Sequence, residues 1–274
     1  MAATVQCLAA LDDKIELNRK MNATLEAMAR ALFRDWFVDF GPTRAKMEGR
    51  EPYLSPDLWS LFPDQLDEVG KPEGWELSSI GSKLRTMLGG TPSRKDMALW
   101  GGQIPWINSG KANEFRVIEP SEYITEQGFE KSSTKLLPRR TTLIAITGAT
   151  LGQVSLNEIE TCANQSIVGV IGSADYPGEF VYLWVKENID SLVAAQTGGA
   201  QQHINKGNVD ELSFLCPTPE LLNAWLDLMK PIFDQISANC FGSRTLAQTR
   251  DLLLPRLMSG ELRVADALSE LETA

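Results

Sequence analysis

Two long segments, one near each end of the chain, repeat apolar residues at heptad spacing. The first spans residues 5–38 and the second spans residues 219–258. The apolar positions are Leu8, Leu11, Ile15, Leu25, Ala29, Leu32 and Trp36 in the first, and Leu222, Trp225, Met229, Ile232, Ile236, Leu246, Leu253 and Leu257 in the second. This spacing predicts two long helices that pair as a coiled coil.

Polar residues interrupt both apolar seams. Asn18 and Asn22 occupy the missing steps of the first seam, and Asn239 and Ser243 those of the second. Asn18 lies 20 residues before the first segment ends, and Asn239 lies 20 residues after the second begins. If the chain between them is one compact body, the helices are antiparallel and Asn18 meets Asn239. Polar seam residues lower stability but fix register, so these four residues are predicted to set the register and hold a fixed distance.

The chain between the helices, residues 77–216, is predicted to be a mixed α/β domain. Short apolar, β-branched runs near glycines predict strands at 104–107, 142–147 and 166–171. Helices are expected at 120–128 and 179–194. The fold class is therefore α/β (α+β), with one mixed domain flanked by two long helices that form an antiparallel coiled coil.

Proline and glycine mark the expected boundaries between these parts. Gly41-Pro42 is expected to end the first helix, and Gly260 the second, which Pro231 interrupts. The predicted organisation is a helix at 1–40, an irregular connector at 41–76 with a short helix near 56–62, the mixed domain at 77–216, a helix at 217–262 and a loose tail at 263–274.

Charge is unevenly distributed along the chain. The net charge is −10, which argues against a simple basic nucleic-acid binder. Residues 83–140 nevertheless hold ten basic and six acidic side chains, a local net charge of +4. The ten are Lys83, Arg85, Arg94, Lys95, Lys111, Arg116, Lys131, Lys135, Arg139 and Arg140. Ordinary surface scatter is the alternative explanation of this pattern.

The composition favours a cytoplasmic protein without a membrane segment. No apolar run reaches the roughly 18–20 residues that a membrane span needs, and the N-terminus lacks the pattern of a signal peptide. Four scattered cysteines without a CxxC pair fit reduced thiols better than disulfides or a zinc site.

Catalytic motifs are missing from the sequence. The one histidine, His203, excludes multi-histidine metal sites. There is no GxGxxG loop, and Ser109-Gly110-Lys111-Ala112 lacks the earlier glycine and the final Ser/Thr of a phosphate-binding loop. No Asn- or Asp-Pro-Pro-aromatic tetrapeptide of a base-methylating pocket is present. We therefore expect a binding protein without catalytic or metal-binding residues.

The mixed domain offers polar, glycine-spaced loops suited to DNA. Hydroxyls, lysine and arginine can contact phosphates, and amides can read adenine through two hydrogen bonds. The candidate DNA-binding residues are Thr91, Ser93, Arg94, Lys95, Asn108, Ser109, Lys111, Thr147, Thr150, Gln153, Gln165, Gln201, Gln202, Asn205 and Lys206. The alternative for each is a turn residue selected for backbone geometry.

Three parts of the sequence resemble a known family. Residues 10–22, 32–40 and 44–46 look like the central conserved region of the specificity subunits of type I restriction–modification enzymes. Residues 201–206 resemble the end of a target recognition domain, and residues 250–262 resemble the distal conserved region. The match covers nearly the whole chain.

The resemblance implies a function in DNA recognition. Such a subunit reads one half of a bipartite site with each recognition domain. Its helices dock adenine-N6 methyltransferase (modification) subunits and a restriction subunit. S-adenosylmethionine, ATP and Mg²⁺ are then expected on the partner subunits and not on this chain.

The sequence departs from the family pattern in its single recognition domain. It resembles a half-subunit whose first helix starts abruptly at Met1, so a second copy or a complementary fragment is expected as partner. The stretch 218–225 also lacks the Glu-Gln dipeptide common at the start of the family's helix. The rival hypothesis is a coiled-coil structural adaptor whose middle domain binds protein.

Overall fold

The computed structural model describes residues 2–195 and 204–259 and divides into two compact units. The helical unit contains Met1–Ala29 and Pro231–Ala274, and the mixed unit contains Arg30–Lys230. The helices are α1 (Ala2–Phe37), α2 (Gly41–Met47), α3 (Pro56–Ser60), α4 (Ile80–Lys83), α5 (Glu126–Glu130), α6 (Gly178–Ala195), α7 (Lys206–Asp210) and α8 (Pro219–Met258). Both long predicted helices are confirmed.

In the helical unit, α1 and α8 pair in antiparallel directions. Leu8, near the start of α1, packs against Leu253 and Leu257 near the end of α8. Nη1 of Arg250 lies 2.6 Å from Oδ1 of Asp12. The predicted antiparallel pair is therefore confirmed.

The predicted register of this pair was wrong by one helical turn. Asn18 donates a hydrogen bond from Nδ2 to Oγ of Ser243 (3.1 Å), and Asn239 donates from Nδ2 to Oδ1 of Asn22 (2.8 Å). The prediction assumed that the helix ends lie level. The register instead follows the side chains, because each buried amide needs a polar partner.

The strands of the mixed unit form three sheets in the part of the chain that the structure describes. Their bounds are β1 (Glu76–Ser79), β2 (Arg85–Leu88), β3 (Trp100–Ile107), β4 (Arg116–Val117), β5 (Glu122–Ile124), β6 (Leu136–Leu137), β7 (Thr142–Ala145), β8 (Val154–Asn157), β9 (Thr161–Ala163), β10 (Ile167–Ile171) and β11 (Ser213–Cys216). The strand orders are β1-β11, β2-β10-β7-β8-β4 and β5-β3-β9-β6. Pairs β3/β9 and β4/β8 are parallel, and the other pairs are antiparallel.

Two of the apolar clusters in the mixed unit join elements that lie far apart in the sequence. One is a cluster of strand and loop side chains, comprising Ile107, Val117, Leu137, Leu143, Ala163 and Ile167. The other is aromatic, where Phe33 and Phe37 of α1 meet Phe180 of α6 and Trp225 of α8 with ring centroids 5.1–6.1 Å apart. Such aromatic pairs add about 0.5–1.5 kcal/mol each beyond the apolar area they bury.

Two local predictions were wrong. The helix expected at 120–128 is instead strand β5 followed by α5, because Glu122–Ile124 pairs with β3. Gly41-Pro42 begins α2 and does not stop α1, which already ends at Phe37. Proline fits the first turn of a helix, where its missing N–H is not needed.

The distal end of α8 is only partly described. Pro231 lies inside α8 without ending it. The expected stop at Gly260 and the tail at 263–274 fall outside the described residues. None of the described helices is long and apolar enough to cross a membrane.

Candidate nucleic-acid interface

Parallel pairing of β3 and β9 brings two polar loops to the same edge. Trp106 pairs with Cys162 and Ile107 with Ala163, so both strands end together. Asn108 follows β3, and Asn164 follows β9. The N–H of Asn164 donates to the carbonyl of Ile107 (3.0 Å), which holds the two loops side by side.

The loop at 89–95 joins this edge through two glycines. The N–H of Gly89 donates to the carbonyl of Ile167 (3.0 Å), and the N–H of Gly90 donates to the carbonyl of Ala163 (2.8 Å). A Cβ on Gly89 would lie 2.0 Å from the carbonyl oxygen of Asn164, so only glycine fits this approach. Beyond the glycines, the Thr91 hydroxyl donates to Oε1 of Gln165.

The loop after β7 lies at the same edge. The N–H of Ile146 donates to the carbonyl of Ser166 (2.9 Å), and the N–H of Ile204 donates to the carbonyl of Ile146 (3.1 Å). The short 3-10 turns Ser109–Asn113 and Gly148–Thr150 lie against each other. We define the loop edge as residues 89–95, 108–111, 147–153, 164–166 and 205–206.

Most of the sequence-predicted site residues therefore come together. Ser93, Arg94, Lys95, Asn108, Gln153, Gln165 and Asn205 are exposed, and Thr91, Ser109, Lys111, Thr147, Thr150 and Lys206 are partly buried. Gln201 and Gln202, with His203, lie outside the described residues. The arrangement offers amides, hydroxyls and cations on one side of the mixed unit.

Some of these side chains also shape turns. Oδ1 of Asn108 accepts from the N–H of Gly110 (2.9 Å), and Oδ1 of Asn205 accepts from the N–H of Asn208 (3.0 Å). Both oxygens cap the start of a short helix. Their Nδ2 groups are the donors that these amides can offer to a ligand.

The cations of the loop edge differ in how far they are neutralised. Lys111 pairs with Glu114 (2.7 Å), and Lys206 pairs with Asp210 (2.6 Å). Lys95 is exposed and has no carboxylate partner among residues 2–195 and 204–259.

Arg94 is held in a fixed position. Its Nη1 and Nη2 donate to the two carboxylate oxygens of Glu122 at 2.7 and 2.8 Å, and its guanidinium lies 3.6 Å from the ring centre of Trp100. Hydrogen bonding to Arg94 lowers the pKa of Glu122, and the same contact raises the pKa of Arg94. The pair therefore stays ionised at neutral pH, with the guanidinium plane oriented in advance.

One further segment at this edge carries no motif that would have marked it in the sequence. A Cβ on Gly90 would lie 2.4 Å from Oγ of Ser133, and the Thr134 hydroxyl donates to the carbonyl of Ala163 (3.2 Å). Residues 131–135 read Lys-Ser-Ser-Thr-Lys. Charge is the sequence feature that could have identified this segment, because Lys131 and Lys135 belong to the ten basic residues at 83–140.

Potential metal and thiol chemistry is limited in the described part of the chain. There, no group of His, Cys, Asp or Glu side chains is placed to hold a metal ion. Cys162 and Cys216 are buried free thiols. Burial raises the pKa of Cys162 to about 11, which disfavours the reactive thiolate.

Known proteins share both the sequence and the fold. The chain is similar to the type I restriction enzyme HindI specificity subunit of Haemophilus influenzae, with 28% identity covering 92% of this chain and 65% of that protein. The MjaIX specificity subunit of Methanocaldococcus jannaschii is 25% identical, covering 94% of this chain and 58% of that protein. The chain thus spans less than two thirds of the length of these relatives.

Solved structures give the same fold. The S subunit of a type I restriction–modification system from M. genitalium aligns with a TM-score of 0.61 at 14% identity, covering 93% of this chain and 59% of that one. A chain from a study of complex assembly in the type I R-M system aligns at 0.51 and 12% identity, covering 92% and 57%. At these identities the likeness concerns the fold alone.

A family model covers most of the mixed unit and the first part of α8. The model for the type I restriction modification DNA specificity domain matches residues 72–236. This region contains every described loop of the loop edge and amounts to more than half of the chain. The chain therefore belongs to the type I restriction modification DNA specificity family.

Proposed function

We propose that this chain is the DNA-recognition subunit of a type I restriction–modification complex, without catalysis of its own. The observation that carries the proposal is the convergence of five polar loops at the loop edge, inside the region that matches the DNA specificity domain. Exposed amides such as Gln153 and Gln165 would read base edges, and the nearby hydroxyls and cations would contact phosphates.

The mixed unit would read one half of a bipartite site. A second recognition domain would come from another copy of this chain or from a separate fragment. Two identical copies related by a two-fold axis would read a palindromic, interrupted site, because the symmetry of the protein imposes the same symmetry on the DNA.

The helical unit would dock the enzymatic partners. Leu17, Met21 and Met28 form an exposed apolar stripe on α1, with 51%, 38% and 55% of their surfaces accessible. This stripe supports contact with the helices of a modification subunit, an adenine-N6 methyltransferase, or of a restriction subunit. Those partner subunits would bind S-adenosylmethionine, ATP and Mg²⁺, and the complex would act in the cytoplasm.

A selection from randomised DNA duplexes tests this function. The full chain, alone and mixed with a type I modification subunit from the same host, is expected to enrich one half-site motif. Gln165→Ala should weaken binding to that motif by about 1–3 kcal/mol. This is the binding free energy by which a side chain with two hydrogen bonds to a base distinguishes that base from the others.

A matched control is available in the connector between α3 and β1. Gln65 is an exposed amide outside the loop edge that donates to Oε2 of Glu73 (2.8 Å), so Gln65→Ala should leave binding unchanged. Tight partner binding without any sequence preference would instead favour the coiled-coil adaptor.

A further inference from the structure

Residues 131–135 lie beside the base-reading part of the loop edge. Ser133 packs against Gly90, and Thr134 donates to the carbonyl at the end of β9. Leu136 pairs with Cys162, so Lys135 stands one residue before β6 and next to the carboxyl end of β9. The backbone of this segment is therefore anchored to the two loops that present Thr91 and Gln165.

The lysines of this segment carry uncompensated charge. Lys131 and Lys135 are exposed, as is Lys95. None of the three has a carboxylate partner in the described part of the chain, in contrast to Arg94, Lys111 and Lys206. The neighbouring carboxylate of Asp96 is engaged, since it accepts from the N–H of Ala98 (3.1 Å).

We propose that residues 131–135, together with Lys95, form a contact with the phosphate backbone of duplex DNA. Lysine ammonium groups and short hydroxyls are donors that proteins direct at phosphate oxygens. Lys131 and Lys135 flank Ser132 and Ser133, so both donor types occur within five residues. This contact positions the duplex against Gln165 and carries no sequence information itself. The inference rests on the proposed function, because that function supplies duplex DNA as the ligand.

Salt dependence of DNA binding measures such a contact. The dissociation constant of the full chain, with its modification subunit where needed, is measured against salt concentration for the selected duplex and for an unrelated duplex. Each phosphate contact contributes about 0.9 to the slope of log K against log salt. Lys131→Gln/Lys135→Gln should therefore reduce the slope by about 1.8 for both duplexes and leave the ratio of the two affinities unchanged.

Arg85 provides a control of equal charge. It is exposed at the start of β2, the end away from Gly89, and it has no carboxylate partner among the described residues. Arg85→Gln should leave the slope unchanged, whereas Lys135→Gln alone should reduce it by about 0.9. Lys131→Arg/Lys135→Arg keeps the charge and should keep the slope, which separates lost contacts from misfolding.

The outcomes distinguish this inference from the proposed function. Absence of duplex binding at low salt would overturn both. If Lys131→Gln/Lys135→Gln still binds specifically and its slope of log K against log salt is unaltered, the phosphate contact is wrong. The proposed function in DNA recognition would not be affected by that result. A changed affinity ratio would also overturn the phosphate contact, because the lysines would then be reading bases.

Discussion

The buried asparagines of the helical unit are partners for each other. Asn22 and Asn239 are only 6% and 8% exposed, and a hydrogen bond joins their side chains. Nδ2 of Asn22 also reaches the carbonyl of Ile236 (3.3 Å). A buried amide without a partner costs about 1–3 kcal/mol. A shift of the helices by one turn would separate these amides, so the pair selects one register.

Replacing one member of this pair should therefore be worse than replacing both. Asn22→Leu removes the acceptor of Nδ2 of Asn239 and should lower the free energy of unfolding of the helical unit by about 1–3 kcal/mol. Asn22→Leu/Asn239→Leu should recover much of that loss, because both polar groups become apolar. Urea unfolding followed by circular dichroism measures the difference.

An exposed site on the same helix controls for the leucine itself. Thr24 is exposed on α1, and Thr24→Leu should change the free energy of unfolding by less than about 0.5 kcal/mol. Equal losses in the single and double asparagine variants would contradict a pairing role.

At the scale of elements, glycines have opposite roles in a helix and in a loop. Gly242 lies inside α8, where a Cβ would meet its nearest neighbour, Nδ2 of Asn18, at an ordinary 3.9 Å. Gly90 lies in a loop where a Cβ would collide with Ser133. The first glycine therefore weakens its helix without a steric need, and the second permits close packing.

Gly242→Ala should stabilise the helical unit. Alanine is favoured over glycine in a helix interior by about 0.8–1.0 kcal/mol, because glycine loses more backbone entropy on folding. Thermal and urea unfolding should show this gain. Gly90→Ala serves as the contrasting variant and should destabilise the mixed unit by about 1–3 kcal/mol through overpacking. A loss of stability in Gly242→Ala would contradict the space found beside this residue.

For the molecule as a whole, the net charge and the length relative to similar proteins bear on DNA recognition. The net charge of −10 opposes binding to DNA by the isolated chain, despite the basic set at 83–140. The chain also spans only 65% and 58% of two specificity subunits that it resembles. The charge therefore supports the proposal that partner subunits supply further DNA contacts.

Methylome sequencing of the host tests the proposed function in DNA recognition. Deletion of the gene should abolish one bipartite N6-methyladenine motif in the host. Inverted-repeat halves are expected if two copies pair, because the complex is then two-fold symmetric. Unrelated halves are expected if a separate fragment completes the site. Retention of every methylated motif after deletion would contradict the function.

The predictability of the fold differed between elements. The strands at 142–147 and 166–171 were correctly predicted, because their buried apolar, β-branched runs are a local signal that the sequence carries. The segment 120–128 was not, since the strand character of Glu122–Ile124 depends on pairing with β3. The segment at 131–135 was missed as a site for a similar reason: its composition is ordinary, and its position comes from contacts with Gly90 and Ala163.

The two long helices, the apolar strands of the mixed unit and the membership in a family of DNA-specificity proteins could all be predicted from the sequence. These features depend on periodicity, on local composition and on motifs within short stretches of chain. The pairing of Asn22 with Asn239 and the convergence of the polar loops at one edge became visible only in the folded chain. Both results depend on hydrogen bonds between residues far apart in sequence, such as Asn164 to Ile107 and Gly90 to Ala163. Such hydrogen bonds stabilise the protein only after folding has brought the two partners together, so no short stretch of sequence predicts them.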